Sequence, residues 1–131
     1  QEIKFGKLKK LVKNKKLFID GSHNPLGSKV LNEYLESLDC KKHIILGMML
    51  NKDHVRYIKN FKNIKSLTTV DIPNQPSAIK GIKLKEKIKK FKNIKYQNSV
   101  IKAISSIDLQ KNDIILITGS LYLAGEVLNL N

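Results

Sequence analysis

The sequence has 131 residues, of which 41% are hydrophobic, and its formal net charge is +14. No apolar run approaches the ~20 residues that cross a bilayer, the basic N-terminus lacks a signal-peptide pattern, and the single cysteine excludes an internal disulfide. We therefore expect one cytoplasmic domain over residues 1–131, with no membrane contact and no metal site, whose positive charge suggests a polyanion partner.

The first predicted element is a strand near the N-terminus. Residues 8–12 have the composition of a strand and are followed by a polar turn at Asn14-Lys15. We expect this strand to pair with the apolar run at 16–19 as an antiparallel hairpin. That second run stops abruptly at Asp20-Gly21, which is a turn signal, so the second strand is predicted to end at Asp20.

A helix is predicted directly after this strand. Pro25 suits a first helical turn, and apolar residues recur at helical spacing from position 30 to position 38. A strand, a tight turn and a helix N-terminus present backbone N–H groups to an anion, at the place where an open α/β sheet holds its ligands. The polar residues of this turn are Asp20, Ser22, His23 and Asn24, of which Ser22 and Asn24 can also cap the helix.

Strands and helices then alternate to the end of the chain. Further strands are predicted at 43–47, 66–70, 94–97 and 113–118, the last of them continuously apolar, as a strand buried on both faces should be. Further helices are predicted after Asp53, which caps the first of them, and at 77–90, at 99–107 and from Leu121. This order predicts a three-layer, Rossmann-like α/β sandwich with a mostly parallel sheet of about six strands and one antiparallel strand near the N-terminus.

Several residues are expected to be structural. Nothing pairs His43 with His54 into a metal site, which needs clustered ligands, so both are expected to be structural or exposed. Cys40 and Met48 are expected to pack as core residues.

Four motifs occur in an order and spacing that resemble one family. They are D-G-S-H-N-P at 20–25, G-M-M-L-N-K-D at 47–53, P-N-Q-P-S-A at 73–78 and T-G-S-L-Y-L-A-G-E at 118–126. Together they resemble the C-terminal domain of folylpolyglutamate synthase and bifunctional dihydrofolate synthase, within the Mur ligase superfamily. The resemblance implies an ATP-dependent ligase that joins L-glutamate to a folate or dihydropteroate carboxylate through an acyl phosphate.

The resemblance also implies roles for residues of the first and last motifs. His23 would be catalytic, approaching phosphate and the incoming glutamate, and Asp20 and Asn24 would contact the nucleotide. Glutamate would be held by His23 and by Ser120, although Ser120 also suits the N-cap of the last helix. Further candidates are Ser22, Lys52 and Asp53, for which a helix cap or a solvated lysine is the simpler role.

Two features depart from the family pattern. The family usually has a Gly-Arg pair ahead of the first motif, with the arginine directed at ATP phosphates, and this chain has Gly6-Lys7. Lys7 would contact the nucleotide phosphates in its place, because it keeps the charge, but it loses the bidentate fork of arginine. No G-x-x-x-x-G-K-[ST] loop occurs, and in the family that loop belongs to an N-terminal ATPase domain. The resemblance therefore implies that ATP and Mg²⁺ are held mainly by that domain. We expect that domain to be the partner of this chain, and we expect the chain to be monomeric and to be inactive alone.

Three other classes fit parts of the sequence. A phosphorelay receiver would place its acceptor aspartate near Asp71, but it needs a second acid at Gly21 and a lysine at Gly119. A dinucleotide-binding module would need G-x-G-x-x-G. A non-enzymatic basic module that binds nucleic acid or another polyanion fits the net charge, although Arg56 is the only arginine. Any DNA binding should therefore be weak, independent of sequence and steeply dependent on salt.

Overall fold

The computed structural model describes residues 1–131 as six strands and six helices. The strands are β1 (Glu2–Ile3), β2 (Lys16–Asp20), β3 (Lys42–Leu46), β4 (Ile64–Val70), β5 (Ile94–Gln97) and β6 (Ile114–Thr118). The helices are α1 (Lys7–Leu11), α2 (Pro25–Glu36), α3 (His54–Lys59), α4 (Gly81–Lys87), α5 (Val100–Ser106) and α6 (Leu121–Leu130). None of these helices is long and apolar enough to span a bilayer.

All six strands belong to one sheet, in the order β1–β2–β6–β3–β4–β5. β1 is antiparallel to β2, and every other neighbouring pair is parallel. The α/β class, the mostly parallel sheet and the single antiparallel strand near the N-terminus are therefore confirmed. β6 lies between β2 and β3 and is buried at all five positions, which explains why its sequence is continuously apolar.

Each face of the sheet is covered by its own hydrophobic cluster. One cluster includes Leu8 of α1, Ile104 of α5 and Val127 of α6, and the other includes Leu35 of α2, Ile58 of α3 and Leu84 of α4. Met48 is buried in the second cluster and Cys40 packs against it. The layers are therefore helix, sheet and helix, as the alternation of elements predicted.

The predicted hairpin at the N-terminus is wrong. Residues 8–12 lie in and just after α1, and the antiparallel partner of β2 is β1, with Glu2 opposite Phe18. Leu8 and Val12 are both buried, and their spacing of four residues puts them on one face of a helix turn. Val12 ends the helix and Lys13 takes a positive φ of 55°, so the chain turns there into β2.

The predicted helix at 77–90 is shorter in the structure. α4 begins only at Gly81, because the preceding residues pair with the segment that follows β3. The N–H of Leu50 donates to the carbonyl of Ser77, and the N–H of Ile79 donates to the carbonyl of Met48. These bonds occupy the backbone in an extended pairing that a helix turn could not make.

Candidate functional site

Three neighbouring strands end at the same edge of the sheet. Asp20 of β2 and Leu46 of β3 both lie in register with Thr118 of β6. Gly119 follows with a φ of +117°, and a Cβ atom there would come within 2.4 Å of the carbonyl oxygen of Gly47. Only glycine therefore allows the loops after β3 and β6 to approach this closely. The first and last sequence motifs are brought together at this edge.

The loop after β2 is held by its own polar side chains. Asp20 Oδ1 accepts a hydrogen bond of 2.8 Å from the N–H of Ser22, and Asn24 Oδ1 accepts one of 2.8 Å from the N–H of Gly27. Asn24 is thus the N-cap of α2, and Pro25 occupies the first helical turn. Asp20 uses one carboxylate oxygen for the turn, so its other oxygen can face a ligand.

Tyr57 of α3 joins this loop to the end of β6. Its hydroxyl donates to the carbonyl of Ser22 at 3.1 Å, while Ser22 Oγ and Thr118 Oγ1 lie 2.8 Å and 2.7 Å from Tyr57 Oη. The side chain is 0% exposed, and burial raises the pKa of Tyr57 to about 12, so the hydroxyl is neutral at physiological pH. One buried side chain therefore fixes two loops relative to each other.

Tyr57 is a residue of this junction that was not predicted from the sequence. Its spacing to Phe61 is helical, and the two rings pack edge to face with centroids 5.6 Å apart. That spacing indicates a buried aromatic pair, and a buried tyrosine requires a hydrogen-bond partner. The sequence could therefore have identified the burial, but the partners come from strands elsewhere in the chain.

His23 is the one residue of the loop with an unsatisfied buried atom. Its Nδ1 is buried and has no hydrogen-bond partner in the protein. Leaving a buried polar nitrogen without a partner costs ~1–3 kcal/mol, which a bound ligand could recover. The ring directly precedes Asn24, so it lies at the N-terminus of α2, where backbone N–H groups and the helix dipole favour an anion.

Ser120 acts as the N-cap of α6. Its Oγ accepts a hydrogen bond of 3.0 Å from the N–H of Tyr122, and the residue is 1% exposed. The cap role that the sequence allowed is therefore observed. No direct hydrogen bond joins Ser120 to His23, and a shared contact with glutamate stays a prediction.

The remaining predicted site residues make no side-chain hydrogen bond to this cluster. Asp53 caps α3 through the N–H of Arg56 at 3.2 Å, and the neighbouring Lys52 is half-buried. Lys7 begins α1, and its N–H donates to the carbonyl of Asn131 at the far end of α6. Because α6 starts beside the site and its ten residues extend ~15 Å, Lys7 lies near the opposite edge of the sheet.

A groove of about 570 Å³ opens beside the first loop. Asp20, Ser22 and Asn24 form its polar end, and Phe18 and Tyr34 are among the apolar residues that line the rest. An apolar groove with a few polar groups at one end suits a small molecule, but neither His23 nor Ser120 lines it.

Two histidines and one acid that the sequence singled out are buried or hydrogen-bonded within the protein, outside this loop. His43 and His54 are both 3% exposed, and His54 Nε2 lies 2.9 Å from the carbonyl of Met49. Asp71 accepts hydrogen bonds from the N–H of Gly81 at 2.7 Å and from the Tyr96 hydroxyl at 2.6 Å, and the bond to Asp71 raises the pKa of Tyr96 to about 12. With both oxygens engaged, Asp71 is poorly suited to accept a phosphoryl group.

The lysines are spread over both faces of the molecule. Residues 4–16 contain seven lysines and no acid, and residues 80–95 contain eight lysines and one glutamate. α1 and α4, which carry part of these two sets, pack into different hydrophobic clusters on opposite faces of the sheet. The charge therefore does not form a single basic groove of the kind that follows a nucleic-acid backbone.

Comparison with known proteins agrees with this geometry. The family described as "Mur ligase, glutamate ligase domain" matches residues 8–121. No curated protein sequence matches the chain.

Three solved structures illustrate the similarity of fold. Folylpolyglutamate synthase of Mycobacterium tuberculosis, complexed with ADP and AMPPCP, superposes with a TM-score of 0.78 at 22% identity over 88% of this chain and 29% of that chain. Folylpolyglutamate synthase of Thermotoga maritima gives 0.75 at 24% identity over 89% and 28%. E. coli FolC in complex with DHPP and ADP gives 0.75 at 20% identity over 88% and 28%. The chain thus spans less than a third of each of these proteins.

Proposed function

The chain belongs to the family of Mur ligase glutamate ligase domains, and we propose that it forms the glutamate-ligase part of an ATP-dependent enzyme that adds L-glutamate to a folate or dihydropteroate carboxylate. The observation that carries this proposal is the junction at the carboxyl edge of the sheet. There the buried Tyr57 hydroxyl ties the loop of Asp20 and His23 to the end of β6, and the buried His23 Nδ1 is left without a partner.

The proposed reaction has two steps. ATP first transfers its γ-phosphoryl group to the folate carboxylate, which gives an acyl phosphate and ADP. The neutral glutamate amine then attacks the acyl carbon, an amide bond forms as the nitrogen loses one proton to solvent, and inorganic phosphate leaves with the electron pair of the broken C–O bond. Both steps develop negative charge on oxygen, so positioned N–H groups and cations lower their barriers once water is excluded.

The chain's own residues would orient and neutralise anions in this scheme. α2 and α6 both begin at this edge, and their N-terminal N–H groups suit a phosphate or a carboxylate. His23 would hydrogen-bond to phosphate or glutamate through its ring, and Asp20 and Asn24 would contact the nucleotide. Ser120 would help to hold a glutamate carboxylate.

We assign ATP and Mg²⁺ mainly to a separate P-loop ATPase domain. The described residues contain no cluster of three or more His, Cys, Asp or Glu side chains able to ligate a metal. Neither step of the reaction is therefore assigned to a metal held by this chain. ADP in two of the similar structures supports nucleotide binding in proteins of this fold.

The test compares the chain alone with the chain fused to the ATPase domain of a folylpolyglutamate synthase. The chain alone should not hydrolyse ATP, because it lacks a phosphate-cradling loop. In the fusion, glutamate-dependent ligation should fall roughly tenfold to a hundredfold in His23→Ala and in Ser120→Ala, the loss of one charge-assisted hydrogen bond each. The double variant should depart from additivity if both residues hold one ligand.

Ser99→Ala is the matched control, because Ser99 caps α5 through the N–H of Lys102 as Ser120 caps α6. Its ligation rate should stay at the wild-type value, and thermal unfolding should show that all variants fold. Ligation that is unchanged in both site variants, or ATP turnover by the chain alone, would overturn the proposal.

Binding to nucleic acid or another polyanion is the second candidate function, and the net charge of +14 is the observation that favours it. The spread of lysines over both faces predicts weak binding without sequence preference. A salt titration of binding to a DNA duplex tests this, because counterion release gives a steep dependence on salt. Submicromolar, sequence-selective binding at physiological salt would favour this function over ligation.

A further inference from the structure

A second polar cluster lies at the opposite edge of the sheet from the candidate site. His43, the second residue of β3, lies beside Ser66 of β4 and Asp113, the residue before β6. His43 Nδ1 lies 2.6 Å from Ser66 Oγ, and His43 Nε2 lies 2.9 Å from Asp113 Oδ2. Serine, imidazole and carboxylate are therefore connected in series, in a cluster that takes no part in the proposed ligation.

The direction of the hydrogen bonds follows from the charge on Asp113. Burial alone would raise the pKa of this carboxyl, but hydrogen bonds from His43 and Gln110 and the ammonium of Lys65 bring the pKa of Asp113 below its usual range. A charged Asp113 accepts the Nε2–H of the ring. The Nδ1 lone pair is then left to accept the O–H of Ser66.

Hydrogen bonds in this direction, from serine to imidazole to carboxylate, activate a serine hydroxyl. A nucleophile within hydrogen-bond reach of a base, with the base oriented by a third group, is the general arrangement of nucleophilic catalysis. His43 and Asp113 are each 3% exposed, so the ring and the carboxylate are shielded from water, whereas Ser66 is only half-buried. Ser66 is thus the member of the series that an outside molecule can reach.

Ser66 and His43 line a cavity of about 410 Å³. Lys65 and Lys95 line the same cavity, and Asp108 is the only acid among its lining residues. The ammonium groups can offset negative charge on an oxyanion, and they favour a ligand that is itself an anion.

We propose that Ser66 is an activated nucleophile that accepts an acyl group from a small anionic activated ester. Ser66 Oγ attacks the ester carbonyl and its proton passes to His43 Nδ1. The tetrahedral intermediate then expels the alcohol or phenol, which takes that proton, and the acyl group stays on Ser66. Only the acylation step is assigned to this series, so one acylation per chain is expected.

A fluorophosphonate tests the nucleophile on the isolated chain, with no ATP and no second domain. Phosphonylation forms an Oγ–P bond and releases fluoride, and peptide mapping locates the label. Ser106 is the internal control, because it lines the same cavity but donates only to the Ala103 carbonyl. Ser66 should react at least ~100-fold faster than Ser106, the lower end of what a positioned base contributes. Labelling of Ser66 at the rate of Ser106 would overturn the proposal.

Variants and a denatured control separate activation from mere accessibility. Ser66→Ala should abolish the label at this peptide, and His43→Gln should slow Ser66 labelling to the rate of Ser106 while Ser106→Ala leaves it unchanged. Wild-type chain unfolded in urea should likewise lose the rate difference, which keeps the test decisive if His43→Gln does not fold. Fast labelling in the His43 variant or in urea would show that the series does not activate Ser66.

The charge of the substrate is tested with two p-nitrophenyl esters. Mono-p-nitrophenyl succinate, the anionic ester, should give a burst of about one equivalent of p-nitrophenolate. The neutral p-nitrophenyl acetate should give the same burst at least ~10-fold more slowly. The burst is the part of the signal that Ser66→Ala removes, since surface lysines react equally in both proteins. Lys65→Ala combined with Lys95→Ala should abolish the preference for the anionic ester, and equal rates for both esters in the wild type would contradict the assigned substrate class.

Discussion

A polar cluster lies at each edge of the sheet, one at the carboxyl ends of the parallel strands and one at their amino ends, and the two clusters differ in kind. At the carboxyl edge the centre is the neutral hydroxyl of Tyr57, which links Ser22 and Thr118. At the amino edge the centre is the carboxylate of Asp113, which His43 and Lys65 surround. A buried hydroxyl needs only hydrogen-bond partners, whereas a buried carboxylate needs compensating charge as well.

The difference explains how each edge can serve chemistry. The hydroxyl cluster holds two loops without adding charge, so the charged groups near His23 are the helix N-termini, the Asp20 carboxylate and an incoming anion. In the carboxylate cluster, Asp113 pairs with one ring nitrogen of His43 and leaves the other to Ser66. We expect the carboxylate cluster to lose stability in acid.

The largest effect is expected when the charged cluster is broken. Asp113→Ala leaves the buried Nε2–H of His43 and the N–H of Gln110 without their acceptor, and each buried donor left unpaired costs ~1–3 kcal/mol. Urea unfolding should show this loss in the free energy of unfolding. Asp53→Ala is the control, since the Asp53–Arg56 pair is exposed at 3.7 Å and should contribute much less. Similar losses in both variants would show that the amino-edge cluster is not a buried charge centre.

Tyr57→Phe tests the neutral cluster. The ring stays in place but Ser22 and Thr118 lose a shared partner, so the free energy of unfolding should fall by about 2 kcal/mol. In the fused ligase the same variant should also raise the KM for glutamate, because the loop that carries His23 is no longer tied to β6. Tyr34→Phe, at a ring that is 51% exposed, should leave the free energy of unfolding unchanged. A stable variant with unaltered KM would show that Tyr57 does not support the site.

The dependence of stability on pH should differ between the two edges. The folded state lowers the pKa of Asp113 below its ordinary 3.8, so as pH falls through and below that value the unfolded chain binds the proton first and stability is lost. The folded state raises the pKa of Tyr57 from 10.0 to about 12, so stability is lost as pH rises through that interval. A tenfold difference in proton affinity between the folded and unfolded states corresponds to about 1.4 kcal/mol of stability.

Variants identify the groups responsible for the loss of stability at acid pH (the acid limb) and at alkaline pH (the alkaline limb). Asp113→Asn should flatten the acid limb and leave the alkaline limb unchanged. Tyr57→Phe should do the reverse, although the alkaline limb will keep the part that Tyr96 contributes, because its pKa is also raised to about 12. An acid limb that persists in Asp113→Asn would place the responsible carboxylate elsewhere.

The smallest effect is expected from the helix caps. Ser120→Ala and Ser99→Ala each remove one side-chain cap and should each lower the free energy of unfolding by about 1 kcal/mol. Ser99 follows a strand end at the same edge, but that strand is β5 at the border of the sheet, three places from β6, so only the Ser120 variant should also reduce ligation. If ligation falls in proportion to stability in both the Ser120 and the Ser99 variant, Ser120 acts only as a helix cap.

Much of the fold follows from local signals in the sequence. The continuous apolar run of β6, the stop at Asp20 and the caps Asn24 and Asp53 were all predicted and lie where the structure has them. The order of strands and helices predicted a mostly parallel sheet, and a parallel sheet brings its strand ends to one edge. The proximity of the first and last motifs was therefore predictable without knowing any contact.

Only the tertiary structure decided the rest. Residues 8–12 carry apolar spacing that fits a short strand as well as one helix turn, and packing of Leu8 and Val12 against the core selects the helix. Local periodicity reports which side chains are buried but not what they touch. The partners of Tyr57 lie 35 and 61 residues away, and the partners of His43 lie 23 and 70 residues away. Such contacts form only when strands separated in sequence become neighbours in the sheet, and both polar clusters depend on them.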